Sequence, residues 1–183
     1  MNTKEKIKDK ALELFNKKGV KNVTLREVAK ELHKSYGNIT YHYKTKSDLV
    51  LDLYKDMVEE TSGIIQSFDF KNLFLGILSA PKKTFLISLK FLFFYVDYVE
   101  IRRNYKNIYL KAETDNNLRK QHFLKILTLL QEQGILRKEL THDDLNYLME
   151  LNLQLTIIMQ PMEFRLVLML LSKKQRIERS LMI

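Results

Sequence analysis

The feature that most constrains the fold of this chain is a pair of short helical patterns within residues 24–48, joined by a break of only two residues. Thr24 and Glu27 have the spacing of a capping box, which opens a helix. Ser35 has the right chemistry for the N-cap of the second helix. Two short helices on either side of so tight a turn predict a helix-turn-helix.

The segment that carries these patterns is basic and rich in hydroxyl groups. Residues 1–48 contain 12 Lys and Arg against 6 Asp and Glu, which is +6 of the chain's net charge of +9. A basic patch attracts a polyanion, although a solvated basic face accounts for the charge alone equally well. Because a helix-turn-helix lays its second helix in the major groove, double-stranded DNA is the predicted partner.

The composition favours an all-α protein. The 183 residues include only 2 Pro and 5 Gly, while helix formers are plentiful. The absence of Cys excludes disulfides, thiolate metal sites and a Cys nucleophile, and it is compatible with the reducing cytoplasm. The first ten residues lack the apolar core of a signal peptide. The most apolar run, residues 84–99, is shorter than a membrane span, so it predicts a buried helix.

Apolar periodicity predicts the first helix over about Thr3–Lys18. One face of that helix carries Ile7, Ala11, Leu14 and Phe15. Gly19 is expected to end it as the left-handed residue of a Schellman stop, in which Val20 contacts Phe15.

A long helix is predicted next. Thr45 and Asp48 form a capping box, and no Gly or Pro follows until Gly63, which predicts a rod of roughly 30 Å. Pro81 suits the first turn of a fifth helix. Further helical patterns cover about 101–112, 116–133, 142–159 and 162–179.

Residues 7–53 resemble the DNA-binding domain of the TetR family of bacterial transcriptional regulators. The matching pieces, in order, are Leu14-Phe15 with Gly19, Val23-Thr24-Leu25-Arg26-Glu27-Val28-Ala29, Ser35-Tyr36-Gly37-Asn38-Ile39-Thr40-Tyr41-His42-Tyr43, and Lys44-Thr45-Lys46-Ser47-Asp48-Leu49. The resemblance implies a three-helix helix-turn-helix DNA-binding domain over 1–48, followed by a helical bundle over 49–183 that binds a ligand and dimerises.

The sequence departs from the family pattern at three places. His33 occupies a turn position that usually holds Gly because of positive φ, and His is one of the less unfavourable substitutes. Thr40 lies where Leu or Phe is common. The final segment, residues 172–183, is polar and basic, whereas family members typically dimerise through their last two helices.

The predicted DNA contacts fall into two groups. Hydroxyls, cations and free N–H groups at helix starts suit phosphates, and bidentate amides or methyl groups suit base edges. The predicted phosphate contacts are Thr24, Arg26, Ser35, Tyr41 and Lys46. The predicted base contacts are Tyr36, Asn38, Thr40 and His42. The alternatives are that Thr24 and Ser35 only cap helices, and that Tyr36 and His42 only pack.

The bundle is rich in aromatic residues, which suit either a core or an apolar pocket. The candidate pocket residues are Phe91, Phe94, Tyr95, Tyr98, Tyr105, Tyr109 and Phe123. Lys90 and Asp97 either anchor a polar ligand or mark a helix edge at solvent. His122 and His142 lack ligand spacing, so neither a metal site nor a cofactor is predicted. No motif of a catalytic site is present, so the chain is not predicted to be an enzyme.

We therefore expect a cytoplasmic, homodimeric, ligand-responsive regulator. It would repress by binding a palindromic operator and be released by a small apolar or amphipathic effector, with no role for a membrane. The alternative from another class is a helical carrier of hydrophobic molecules, whose basic end docks on anionic membrane. Polar side chains between Ser35 and Lys46 favour DNA, because a lipid-facing helix needs an apolar face.

Overall fold

The computed structural model describes residues 2–67, 73–137, 139–141, 143–144 and 146–147. Every regular element in these ranges is a helix, which confirms the predicted all-α fold. The helices are α1 (Thr3–Lys18), α2 (Leu25–Glu31), α3 (Tyr36–His42), α4 (Lys46–Gln66), α5 (Leu73–Lys90), α6 (Phe93–Val96), α7 (Tyr98–Asn104) and α8 (Lys106–Glu132). Contacts divide the chain into two compact units between His122 and Phe123.

Helix α1 lies along α4 and is held there by two ion pairs. Lys4 Nζ lies 2.8 Å from Asp52 Oδ2, and Lys8 Nζ lies 2.6 Å from Asp56 Oδ2. Both helices advance by four residues between the pairs, so one face of each helix meets the other. The predicted apolar stripe of α1 is buried, comprising Ile7, Ala11, Leu14 and Phe15. Tyr43 packs beneath α3, and its hydroxyl donates to Asp52 at 2.7 Å.

The predicted Schellman stop at Gly19 is wrong. Gly19 has φ 81° but an extended ψ of 149°, and its N–H donates to the Phe15 carbonyl at 2.8 Å. A Schellman stop would direct the Val20 N–H to that same carbonyl. Here the Val20 N–H donates instead to Asp97 Oδ2 at 2.6 Å, a side chain 77 residues away in sequence.

A Schellman stop does occur at the end of α2, where His33 is the left-handed residue with φ 52°. The Lys34 N–H donates to the Ala29 carbonyl at 2.9 Å, and the His33 N–H donates to the Lys30 carbonyl at 3.0 Å. The expectation of positive φ at the turn position is confirmed. This stop turns the chain sharply enough for Ser35 to begin α3 two residues later.

Replacing His33 by Gly should raise the free energy of unfolding by up to about 1 kcal/mol, since Gly adopts positive φ without a steric penalty. His33 is exposed, so its side chain contributes little packing. Urea unfolding of His33→Gly and of a His33→Ala control, which keeps the Cβ atom, checks this. A glycine variant no more stable than the alanine variant would contradict it.

Helix α4 begins at the predicted capping box. The Thr45 N–H donates to Asp48 Oδ2 at 2.9 Å, and the Asp48 N–H donates to Thr45 Oγ1 at 3.1 Å. The helix does not end at Gly63 but runs through it to Gln66. A glycine inside a helix costs only about 1 kcal/mol relative to Ala, which packing against α5 offsets.

The helices after α4 differ from the predicted segments. Helix α5 begins at Leu73, so Pro81 lies in its interior rather than its first turn. The pattern predicted at 101–112 is divided between α7 and α8 at Tyr105, and α8 continues through most of the pattern predicted at 116–133. The run expected to continue to residue 99 breaks at Phe91 and Leu92. The patterns at 142–159 and 162–179 lie outside the described residues, apart from 143–144 and 146–147.

A single buried apolar cluster connects the predicted reading head, residues 1–48, with the helices that follow. It extends along the sequence from Ile7 to Ile108 without a gap at residue 48. The predicted boundary at 48 therefore lies within a continuous core. No helix in the described part of the chain is long and apolar enough to cross a membrane.

Candidate nucleic-acid interface

The N-caps of α2 and α3 each keep a hydrogen-bond donor free for an anion. Thr24 Oγ1 accepts from the Glu27 N–H at 3.2 Å, and Ser35 Oγ accepts from the Asn38 N–H at 3.2 Å. A hydroxyl has one donor and two acceptor positions. Because capping uses only an acceptor position, each hydroxyl can also donate to a phosphate oxygen, so the two predicted roles are compatible.

Only one half of the capping box predicted at Thr24 is present, namely the hydrogen bond from the Glu27 N–H to Thr24 Oγ1. The Glu27 carboxylate pairs with Lys18 Nζ at 2.5 Å, on the preceding helix. The hydrogen bond from Lys18 holds the pKa of Glu27 below its ordinary value. The end of α1 is thus tied to the start of α2.

Helix α3 buries one anchor and exposes the rest of its surface. Ile39 is fully buried, whereas Tyr41 is 86% exposed and Tyr36 is 45% exposed. Asn38 is also exposed, while His42 is half-buried with its ring edge-on to Tyr41 at 5.1 Å. An exposed amide beside exposed phenol rings has the groups that read base edges and contact phosphates.

Two predicted contacts already have partners inside the motif. Thr40 Oγ1 lies 3.2 Å from the carbonyls of both Tyr36 and Gly37, so its hydroxyl proton is used in the helix. Its methyl group remains suited to a thymine methyl. The Arg26 guanidinium lies 5.3 Å from the centre of the Tyr36 ring, a cation–π contact that links the start of α2 to α3.

Lys46 has a structural role that the sequence did not indicate. Its Nζ donates to the carbonyls of Val20 at 2.9 Å and Val23 at 3.0 Å, which braces the α1–α2 corner. Burial holds the pKa of Lys46 below its ordinary value, although the negative charge of Glu100 opposes part of this effect. An ammonium group has three donors, so one remains for a phosphate. Phosphate binding by Lys46 stays a prediction.

Lys44, which was not among the predicted contacts, is an exposed cation between α3 and α4. Lys44 lies two residues after His42, the last residue of α3. In the sequence, the signal for a phosphate-binding cation was the pair Lys44 and Lys46, one on each side of the capping residue Thr45. Of that pair, the exposed lysine is the better candidate for a phosphate contact.

The reading head is joined to α5, α6 and α7 by two polar side chains, Asn16, which the sequence did not single out, and Asp97, for which the sequence predicted a different role. Asn16 Nδ2 donates to the Lys90 carbonyl at 2.8 Å, and Asn16 Oδ1 accepts from the Phe93 N–H at 3.0 Å. Asp97 accepts from the Val20 N–H. We call these five residues the joint. Asp97 thus contacts the head, whereas the 51% exposed Lys90 side chain pairs with Glu60 at a helix edge.

The structure brings only some candidate pocket residues together. Phe91, Phe94 and Tyr105 belong to the buried cluster, and Tyr95 packs against it. Tyr109 is half-buried, and Tyr98 is 55% exposed. Phe123 lies in the other compact unit. No group of three His, Asp or Glu able to hold a metal occurs among the described residues.

Fold and site together define an all-helical protein with a helix-turn-helix head. A family model described as bacterial regulatory proteins, tetR family, matches residues 7–53. The HTH-type transcriptional regulator QacR of Staphylococcus aureus is 45% identical over 53 residues, which are 29% of this chain and 28% of that protein. This chain therefore matches less than a third of that relative's length.

Solved structures share the fold along most of the chain. A TetR-family transcriptional regulator from Marinobacter aquaeolei has a TM-score of 0.73 at 23% identity, covering 86% of this chain and 77% of its own. The ketosteroid transcriptional regulator KstR2 of Mycobacterium tuberculosis has a TM-score of 0.61 at 15% identity, covering 87% and 82%. Residues 7–53 therefore carry the DNA-binding domain described for bacterial regulatory proteins of the tetR family, and the chain shares the fold of solved TetR-family regulators, which confirms the predicted resemblance.

Proposed function

We propose that this protein is a ligand-responsive cytoplasmic repressor that binds a palindromic operator as a homodimer. A small apolar or amphipathic effector releases it from DNA. The observation that carries the proposal is the polar surface of α3, which exposes Tyr36, Asn38 and Tyr41 while Ile39 anchors it. A membrane-docking helix would expose apolar residues on that surface instead.

The length of α3 supports a dimer. Its 7 residues span about 10 Å, roughly the height of three base pairs. One head therefore reads too few bases to select a site. Two heads about 34–36 Å apart, or a multiple of that distance, enter successive major grooves on one face of DNA and read a palindrome.

The joint and α4 support release by an effector. Asn16 and Asp97 tie the end of α1 to the segment 90–97, and α4 continues from the head for 21 residues without interruption. A ligand that favours one arrangement of these helices therefore changes the spacing of the heads. The coupling must be reciprocal, so operator DNA weakens effector binding by the same factor.

Asn38→Ala tests the proposal. Duplexes selected from a random library by the wild-type protein define the operator. The variant should lose about 1–3 kcal/mol of preference for operator over random DNA, because a bidentate amide contact discriminates bases by that amount. Gel-shift titrations measure both affinities. Asn116→Ala, which removes an exposed asparagine from α8, should leave the preference unchanged.

Other outcomes separate the alternatives. If the affinities for operator and random DNA fall together, Asn38 only contacts the backbone. If the wild-type protein selects no duplex but sediments with phosphatidylglycerol vesicles, the carrier that docks on membrane is correct. Sedimentation should find two chains per operator duplex, and one chain would contradict the dimer.

A further inference from the structure

A carboxylate interrupts the inward apolar stripe of α8. Ile108, Ala112 and Asp115 follow one another at positions i, i+4 and i+7 on one helical face. Ile108 is 2% exposed and Asp115 is 8% exposed. A buried carboxylate is costly unless both its oxygens are hydrogen-bonded, so its partners identify its role.

Only one of the two oxygens has a hydrogen-bond partner among the described residues. Asp115 Oδ1 accepts from Lys111 Nζ at 2.5 Å, and the lysine side chain is 44% exposed. Asp115 Oδ2 is buried and has no hydrogen-bond partner in the described part of the chain. An unsatisfied buried acceptor in a native protein calls for a ligand, a water or an ion to complete it.

Tyr54 lies near this carboxylate and is itself close to other aromatic side chains. Tyr54 is 6% exposed, and its ring meets Phe94 edge-to-face at 5.8 Å. Burial raises the pKa of Tyr54, and the negative charge of the nearby Asp115 carboxylate raises it further, whereas the positive charge of Arg119 lowers it. The Tyr95 hydroxyl lies 3.9 Å from Met57 Sδ, and the electrostatic effect of Tyr95 also raises the pKa of Tyr54. Apolar rings beside a few polar groups are the usual composition of a small-molecule site.

We propose that Asp115 Oδ2 is the polar anchor of the effector site. It accepts a hydrogen bond from an effector that carries an amine or hydroxyl donor on an apolar body, and its charge repels a carboxylate. This inference rests on the proposed function, since it names the effector class of that regulator. It also connects the effector site to the reading head. Tyr54 belongs to α4, and Lys46 at the start of α4 braces the α1–α2 corner.

The test uses three probes with the same ten-carbon chain, namely decylamine, decanol and decanoate. Each is titrated calorimetrically, below its micelle concentration, into the full-length protein. Decylamine and decanol should bind about 10- to 100-fold more tightly than decanoate, as expected for a hydrogen bond to a charged group. The protein's net charge of +9 attracts decanoate, so this order cannot arise from bulk electrostatics.

Two variants of α8 identify the anchor. Asp115→Asn keeps the size of the side chain and removes its charge, so decylamine should weaken and decanoate should tighten, each about tenfold or more. Glu113→Gln removes an exposed carboxylate two residues earlier and should preserve the order of the three probes. Circular dichroism and urea unfolding establish that both variants are folded.

The proposal is overturned if decanoate binds as tightly as decylamine, if no probe binds, or if Asp115→Asn leaves the order unchanged. A shift in order that also occurs in Glu113→Gln overturns it as well. Operator binding is measured on the same samples. If the wild-type protein binds operator but does not discriminate among the probes, only the proposed role of Asp115 is refuted. If the protein binds no duplex, the proposed regulatory function is refuted, and the titrations alone decide the role of Asp115.

Discussion

Operator affinity should fall about 10³- to 10⁵-fold when salt is raised from 50 to 200 mM. The proposed dimer presents two heads, each with free hydroxyl donors at Thr24 and Ser35 and with the exposed cations Arg26 and Lys44. Roughly 6 to 10 phosphate contacts per dimer release the corresponding counterions, which makes the logarithm of affinity fall steeply with the logarithm of salt concentration. Fluorescence anisotropy with labelled operator measures the slope.

A matched pair of lysine variants locates the source of that slope. Lys44→Ala should weaken operator and random DNA about equally and lower the magnitude of the slope by about 1 for each phosphate that the variant no longer neutralises. Lys83→Ala removes the same charge from an exposed position on α5 and should leave the slope unchanged. Lys46 is a poorer choice, because its replacement also removes the brace on the α1–α2 corner. Binding that is independent of salt would exclude this mode of recognition.

Phe93→Ala should lower the free energy of unfolding by about 3–5 kcal/mol, the usual cost of removing a buried aromatic ring. Phe93 is 1% exposed, and its ring centre lies 5.1 Å from Phe15 of α1 and 4.1 Å from Phe94. The ring therefore fills the junction between the head and the helices after α5. Urea unfolding followed by circular dichroism measures the decrease.

The loss of stability in Phe93→Ala should also extend to the reading head, because the core is continuous across residue 48. DNA binding and helical signal should disappear at the same urea concentration in the wild type, and both midpoints should shift together in Phe93→Ala. Leu86→Ala, at a side chain that is 58% exposed, should change stability by no more than about 0.5 kcal/mol. Separate transitions for the head and for the helices that share its core, up to Ile108, would contradict a shared core.

The reading head could be predicted well from the sequence because its signals are local. N-caps such as Ser35 act over three residues, and the Thr45–Asp48 box closes within four. The apolar stripe of α1 follows from helical periodicity. Positive φ at His33 followed from family resemblance, and the backbone bonds that end α2 depend only on neighbouring residues.

Predictions that depended on distant partners were wrong or absent. The end of α1 looked like a Schellman stop, since Gly19 and the apolar Val20 satisfy the local pattern, but Asp97 takes the Val20 N–H. Lys46 looked like a free cation until the carbonyls of Val20 and Val23 were placed beside it. Asp115 was overlooked, because its burial depends on what packs against α8.

The sequence by itself determined the all-α class, the helix-turn-helix and the polar surface of α3, because caps, turns and periodicity act within a few residues. It also placed the long helix α4, although the penalty at Gly63 was too small to end it. Only the tertiary structure decided how the head is joined to the rest of the unit and which polar groups are buried. Those outcomes depend on hydrogen bonds and packing between residues far apart in the chain, where no short pattern records which partner a group will meet.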